Sequence, residues 1–470
     1  MWLRGVLLGL GRPSRASCLL GFRDGSRSGI TAQRGAGAQQ IGLTGPRSPK
    51  IASMHLTLEN PTVTEAFFQP LHGLAAQSPH TRACPEVSDE QYLHMGVQRV
   101  LEASASGRAF LQEHGQRFTQ PPTLANYFAA LHSARRGALL REVNLTVLAS
   151  ANARLPDRLA DIPELARYEV FAADGHWHKA AAHDPRHDGV KLAVGHFYSL
   201  NLRTHTLRHL AVGQGLHEHD MSALKRVKPK GLRQEVPQGR RVLLVYDKAA
   251  IDFAYWQRCR RECAVYFLSR AKENQVLEWQ ESTAWERTDP RNRGVVEDWR
   301  VRSREGEALR LICYVDPRTG TAYEFLTNEM DLPPGVLAEL YRRRWDVEKV
   351  FDELKNKLGQ KKAWGTSLGS KEAQALFLVL THNLLELYEQ ALGQRHGVVN
   401  HAEDQRRSER TAQACAVAAR QGTPLSSLVV QARRATQHSV KFVRWLRQSL
   451  RDQLTETTAV LQLTLLYAKL

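Results

Sequence analysis

RRVLLVYDKAAIDFAYWQRCRRECAVYFLSRAKEN, residues 240–274, decides the fold class. RRVLLVYD (240–247) is a short apolar run of strand length, and it leaves Asp247 at a strand-to-loop boundary. DFAYWQRCRREC (252–263) has helical spacing, and AVYFLSRAKEN (264–274) returns as a strand. Upstream, YEVFAAD (168–174), KLAVGHFYSLNL (191–202) and LRHLAV (207–212) read as three more strands, and DMSALKRV opens a helix at Asp220. Three strands, a helix, a strand, a helix and a strand is an α/β order that predicts a mixed sheet. Asp174 closes the first strand just as Asp247 closes a later one.

Downstream the texture changes. Residues 275–328 alternate short strands with DPRNRG and DPRTG turns and read as a β-rich insertion. Its tryptophans, Trp279, Trp285 and Trp299, suit a small core somewhat better than a platform for nucleobases. PGVLAELYRRRWDVEKVFDELKNKL (334–358) then reads as one long uninterrupted helix. At about 100° per residue, Tyr341, Arg344, Glu348 and Lys355 share an arc of roughly 60° beside an apolar stripe. Taken alone, the helix is equally well a solvated, salt-bridged face. The apolar helix from Ala375 contains His382 and Asn383 and reads as a core element, and QARRATQHSVKFVRWLRQSLR (431–451) as a basic amphipathic one. That basic helix is compatible with a membrane surface, nucleic acid or an oligomer contact.

The chain divides into four regions. Residues 1–53 hold eight Lys and Arg against one acid and read as a disordered basic leader outside the functional protein, or a transit peptide. Residues 54–165 read as a helical region whose basic turn (Arg135, Arg136) would suit DNA binding, without helix-turn-helix spacing, with a capping box at SDEQ (88–91) and Thr123 capping a helix over LANYFAALHSARRGALLREV. Residues 166–390 form the core, and 391–470 a helical region for DNA or dimer contacts. A length of 470 residues fits about two to four domains. The net charge is +17, and 17 − 7 leaves +10 without the leader, so a polyanion is the leading partner. Six cysteines with no CxxC pair point to a reduced, intracellular protein, and no stretch approaches the ~20 apolar residues of a membrane span.

Three carboxylates carry the chemistry: Asp174, Asp247 and Glu348. Oxygen ligands alone suit Mg²⁺, and two such ions about 4 Å apart activate the attacking oxygen and stabilise the leaving one in phosphodiester chemistry. Tyr341, Arg344 and Lys355 are placed to hold phosphates on either side. Asp184, Asp188 and Asp252 fall beyond strand ends, where Asp most often caps or solvates. Histidines 176, 178, 183 and 187, with His217 and His219 around Glu218, invite a zinc reading. It is disfavoured because no helical i, i+4 pair with a matching third ligand is evident.

Tyr341, Arg344, Glu348 and Lys355 reproduce Y-x2-R-x3-E-x6-K at every position and gap. With ADG (173–175), VYD (245–247) and FLTN (325–328), the chain resembles the DDE transposases of bacterial insertion sequences, in particular the group often called the IS-four family. The resemblance covers about 54–455. Lys248 departs from it, since small or Arg residues are more familiar beside the second Asp. It implies a ribonuclease-H-like core with Asp174, Asp247 and Glu348 as catalytic metal ligands for two Mg²⁺ ions, with Mn²⁺ as a substitute. It further implies that Tyr341, Arg344 and Lys355, with Trp299 in the insertion, contact DNA. Cut-and-paste transposition follows, acting on double-stranded transposon ends and target DNA through a homodimeric synaptic complex, with a hairpin intermediate in close members. The location implied is the bacterial cytoplasm, at the nucleoid, with no membrane partner. The alternative is a catalytically silent DNA-binding inhibitor or domesticated transposase, against which the intact acid and Y-R-E-K sets argue.

Overall fold

The computed structural model describes residues 60–470 apart from 85, 103–105, 119–120, 187–188, 190–193, 214–217, 219, 234–235, 249–250, 318, 359–360, 423–437 and 469–470. The leader reading of 1–53, Asp188, His187, His217, His219 and the start of the 431–451 helix lie outside the described residues. From Leu58 onward the chain forms one compact unit.

Its centre is a nine-stranded sheet of order β3-β2-β1-β4-β5-β9-β8-β7-β6. The first five strands are β1 (Tyr168–His178), β2 (Val194–Asn201), β3 (Leu207–Val212), β4 (Arg241–Val245) and β5 (Val265–Arg270). β1, β2 and β3 pair antiparallel, whereas β1–β4 and β4–β5 are parallel, which is the ribonuclease-H-like arrangement. Val242–Val245 of β4 and Val265–Leu268 of β5 are apolar and buried because both faces of the parallel strands are covered. β1 runs four residues past the predicted end at Asp174, paired along its whole extension with β2. The insertion supplies β6 (Leu277–Ser282), β7 (Val295–Ser303), β8 (Ala308–Val315) and β9 (Ala322–Thr327). It is β-rich as expected, and it continues the same sheet, because β9 pairs antiparallel with the edge of β5.

Each face of the sheet carries a core. One buries Ala172, Leu243, Val245, Leu268, Ile312 and Phe325 with nearly all the helices. The other buries Ala173, Leu244, Phe267, Leu311 and Leu326 against the Phe253–Cys263 helix, where Trp256 stacks on Phe267 at 5.0 Å. The first core runs from Val63 to Tyr467, so the N- and C-terminal helical regions and the sheet share one interior. The Leu368–His396 helix is its axis and is flanked by Asp89–Glu102 and Ala134–Arg154. The capping box opens its helix as read, with Ser88 Oγ accepting from Gln91 N at 3.0 Å. Thr123 likewise caps Leu124–His132, but the helix predicted there ends at His132 and a second begins behind Ser133, whose hydroxyl accepts from Arg136 N. The basic Val440–Arg451 helix buries Phe442, Val443, Trp445 and Leu446 within this chain, so its apolar face already has a partner. No helix among the described residues is long and apolar enough to cross a membrane.

The predicted long helix is a correction. It is α-helical over Pro334–Arg343 and again over Trp345–Asp352, then winds as a π-helix over Glu353–Lys357. At the junction the bonds tighten to i→i−3: Arg344 N donates to Tyr341 O at 3.0 Å and Val347 N to Arg344 O at 3.2 Å. A tightened turn followed by a π turn shifts side chains off a regular 100° spacing, and such irregularities concentrate at functional sites. The apolar stripe holds regardless, since Leu340, Val347, Leu354 and Leu358 are fully buried, each contributing on the order of 1.5–3 kcal/mol.

Candidate active site

β1 and β4 place the first two acids. Their parallel register pairs Ala172 with Val245. Two residues further along each chain lie Asp174 and Asp247, level with one another and on the face that carries Ala172 and Val245. Each is fixed by the chain just beyond it. Asp174 Oδ1 accepts from Gly175 N at 2.8 Å, and Asp247 Oδ1 from Lys248 N at 2.7 Å.

The third acid arrives on the helix that covers this face. The loop before that helix is pinned at several points. Glu329, fully buried, accepts from Tyr168 Oη at 2.7 Å and from Asp331 N and Leu332 N at 2.8 Å each. Asn328, the last residue of FLTN, accepts from Phe267 N at 2.8 Å and donates to Trp256 O at 3.2 Å. Arg310 on β8 grips buried Asp298 on β7 through two bonds, at 2.9 and 2.6 Å, and donates to Leu332 O at 2.7 Å. The strands of the insertion thereby hold the start of the helix.

The helix then brings its polar residues onto the acids. Tyr341 Oη donates to Asp247 Oδ1 at 3.4 Å. Arg344 reaches Asp174 Oδ2 with Nη1 at 3.1 Å and Glu348 Oε1 with Nη2 at 2.9 Å. Burial opposes the Arg344 charge, yet Asp174, Tyr341, Glu348 and Asp247 together hold its pKa above the ordinary guanidinium value. Burial also pushes the Tyr341 phenol up to about 12, so it is a neutral donor at physiological pH. Arg344 is nearly buried while Glu348 is about a third exposed, so the cluster opens to solvent on the Glu348 side.

Five of the seven expected site residues therefore meet at one end of the sheet: Asp174, Asp247, Tyr341, Arg344 and Glu348. Lys355 is exposed on the π turn; burial, and after it the Lys355 charge, pull the His176 pKa down to about 4. Trp299 stands apart. It sits on β7, four strands from β4, or about 19 Å at ordinary strand spacing, and packs on the core of the opposite face. Trp279 meets it edge-to-face at 5.2 Å but is itself 52% exposed, and Trp285 lies under Arg287 instead, so the three form no common core. The sequence reading missed Trp345, which is 53% exposed with its ring 5.6 Å from the Arg344 guanidinium. Its adjacency to Arg344 was the available signal. Of the residues set aside, Asp252 caps its helix through Tyr255 N at 2.8 Å, and Asp184 accepts from Ala181 N at 2.6 Å and pairs with Lys371 at 3.2 Å. His176 and His178 are buried under Phe351 with His196, and His183 is exposed, so those histidines form no common ligand set.

The ligand atoms of Asp174, Asp247 and Glu348 are not drawn together as tightly as a shared ion needs. Among the described residues, the groups with ligand atoms all within 4.8 Å of one another are two His–Glu sets elsewhere. The Arg344 guanidinium occupies the space between Asp174 and Glu348 as a cation in its own right.

A ribonuclease-H-like sheet with one acid inside the central strand β1, a second just past the end of β4 and a third on a covering helix defines the class. Residues 165–384 match the family described as transposase DDE domain. Among solved structures, the chain is similar to a piggyBac transposase synaptic complex with hairpin DNA, at 10% identity and a TM-score of 0.32, over 85% of this chain and 78% of that one. No curated protein matches the chain.

Proposed function

We propose that this protein is an active transposase that binds transposon ends and cleaves and joins DNA strands, with Asp174, Asp247 and Glu348 holding two Mg²⁺ ions. One observation carries the reading: Arg344 bridges Asp174 and Glu348 while Tyr341 engages Asp247, so one cation already neutralises the acids. A carboxylate-only donor set around a stand-in positive charge fits hard divalent ions. When bound, the ions would activate the attacking oxygen and stabilise the leaving one.

The chain's own residues do the rest. Tyr341 orients Asp247 by donating to it. Arg344, on leaving the acids, has a guanidinium suited to bidentate contact with a phosphate, and exposed Lys355 extends that positive surface along the DNA backbone. Exposed Trp345 offers a ring for a base unstacked at the end of the duplex, a better-placed candidate than Trp299. Two chains would each hold one end in the synaptic complex, and a hairpin at the excised end is the intermediate this reading expects.

The test incubates the purified chain with duplexes from the DNA flanking its reading frame, with Mg²⁺, Mn²⁺ or chelator. Metal-dependent nicking, hairpin product and strand transfer, all lost in Asp174→Asn, are expected. Binding without cleavage under every condition would favour the silent DNA-binding reading instead.

A further inference from the structure

Away from the acids, a second group of ligating side chains closes on itself in the interior. Glu353 comes from the π turn, His382 from the middle of the Leu368–His396 helix, and His438 from the residues leading into Val440–Arg451. They are 1%, 1% and 3% exposed, and their ligand atoms all lie within 4.8 Å of one another. Glu386, one helical turn after His382, borders the group, with Oε1 at 3.6 Å from His438 Nε2 and 3.9 Å from His382 Nε2. This is the i, i+4 pair with further ligands that the sequence did not reveal.

The three residues share one feature. Each has an atom engaged outward and another left bare. His382 Nε2 lies 3.0 Å from His205 O, so that nitrogen carries the proton and donates. Its Nδ1 is then a lone pair, 3.5 Å from Glu353 Oε1, and neither atom makes a hydrogen bond. Glu353 spends Oε2 on His438 N at 2.6 Å. His438 points Nδ1 at Glu389 Oε2, 2.8 Å away, but neither of its ring nitrogens makes a hydrogen bond; against burial, Glu353, Glu389 and Glu386 raise its pKa to about 10, so a metal binds there by displacing a proton. Two acceptors facing each other in a dry interior are costly, on the order of 1–3 kcal/mol for each unsatisfied atom. A cation between them converts both into ligands.

We propose that Glu353, His382 and His438 bind one Zn²⁺, with Glu386 as a fourth ligand once its Oε1 gives up the 2.7 Å contact with His205 Nδ1, and that the ion ties the C-terminal segment to the turn carrying Lys355. Two imidazoles and a carboxylate form a zinc donor set rather than a magnesium one. The His205 carbonyl on His382 and the Glu389 carboxylate on His438 are the outer partners that orient metal-bound imidazoles. Ligands at about 2.1 Å from a tetrahedral ion stand about 3.4 Å apart, which Glu353 Oε1 and His382 Nδ1 at 3.5 Å already match, and atoms at the 4.8 Å limit would close by about 1.4 Å. The clamp is continuous with protein bonds already there: Lys357 Nζ donates to His438 O and Arg447 Nη2 to Lys357 O, each at 2.6 Å. Being closed and buried, the site holds its metal for structure, apart from the acids that face DNA.

The experiment measures zinc per chain by elemental analysis on full-length protein after dialysis. The parent is compared with Asp174→Asn/Asp247→Asn/Glu348→Gln, which removes the other ligand set, and with His438→Gln. One zinc per chain is expected in the first two and none in the third. Stripping with a strong chelator should lower the melting temperature of the parent, and Zn²⁺ should restore it. Co²⁺ in place of Zn²⁺ should give the visible absorption of a tetrahedral nitrogen–oxygen site. If His438→Gln does not fold, the parent's zinc content, its Zn²⁺-dependent melting and its Co²⁺ spectrum decide. A parent that is metal-free and melts identically with and without Zn²⁺ overturns the proposal, as does zinc retained at full stoichiometry by folded His438→Gln.

Discussion

Arg344 Nη1 lies 3.1 Å from Asp174 Oδ2, placing a fixed positive charge at the acid that β1 delivers to the edge of the site. In the proposed function Arg344 exchanges the Asp174 and Glu348 carboxylates for a DNA phosphate. Arg344→Ala should free Asp174 and Glu348 and raise Mn²⁺ affinity several-fold, measured by titration without DNA. The same substitution should weaken binding to end duplexes by about 1–3 kcal/mol. Lower metal affinity in the variant would show that the guanidinium supports the acids rather than standing in for a metal.

Glu348→Gln keeps the volume and hydrogen-bonding capacity of the side chain and removes its charge. Cleavage should fall to background while end binding persists. Tyr341→Phe loses only the 3.4 Å contact with Asp247 and should be the milder change. Gel-shift binding and Mg²⁺-dependent nicking on one duplex compare the two. Normal cleavage by Glu348→Gln would return the helix to the plain salt-bridged reading.

The +17 charge should appear in the salt dependence of binding, because each neutralised phosphate releases condensed counterion with a slope near −0.9 in log–log form. Arg344→Ala and Lys355→Ala should each flatten the slope by about one contact. An affinity indifferent to salt would assign the charge to another partner.

How far the sequence reached follows from the range of the interactions. Strands β3 and β4 and the Ser88 and Thr123 caps were legible because local periodicity and capping determine them, and Asp247 does follow the end of β4, whereas Asp174 lies inside β1, which runs on to His178. The gap pattern of Tyr341, Arg344 and Glu348 also marked residues that share one face and meet the acids. The break at Arg344 was not legible, since the residues around it keep helical spacing and no Gly or Pro marks it. Nor was the continuation of the sheet through β9, which is a pairing choice at the edge of β5. Glu353, His382 and His438 come from three separate segments, and no local spacing announces them.

The histidines beneath Phe351 set an acid limit on the fold. Burial first, then His176 and His209, pull the His178 pKa down to about 3, and burial with its histidine neighbours holds His196 well below 6.5. In the unfolded chain these groups protonate near 6.5, whereas in the fold they stay neutral. The unfolded state therefore binds more protons, and stability falls as pH drops from about 6.5 toward 3. Each pH unit in that window costs up to about 1.4 kcal/mol per histidine. Denaturant midpoints at pH 7.5 and 5.5 should differ accordingly, and His178→Gln should narrow the difference. Equal midpoints in the parent would mean that these rings protonate without unfolding.

Gly335 sets the seat of the helix that carries Tyr341, Arg344 and Glu348. Its N–H donates to Asn292 Oδ1 at 3.0 Å, and a Cβ there would stand 1.9 Å from Arg291 O and 2.5 Å from Arg291 C. The obstacle is backbone, which cannot swing aside as a side chain can. Gly335→Ala must therefore push the helix start away from the Pro290–Asn292 turn. Overpacking of this kind costs about 1–3 kcal/mol, and the displacement carries over to Arg344, which is held to Asp174 by a single 3.1 Å contact. Gly137→Ala is the control. It lies in the Ala134–Arg154 helix with only the tip of Arg141 within 4 Å, at 3.8 Å, so the substitution should stabilise by about 0.5–1 kcal/mol. Urea titrations of the two variants should move in opposite directions, with nicking reduced in Gly335→Ala alone. A Gly335→Ala protein as stable and as active as the parent would show that the insertion does not fix the helix through this contact.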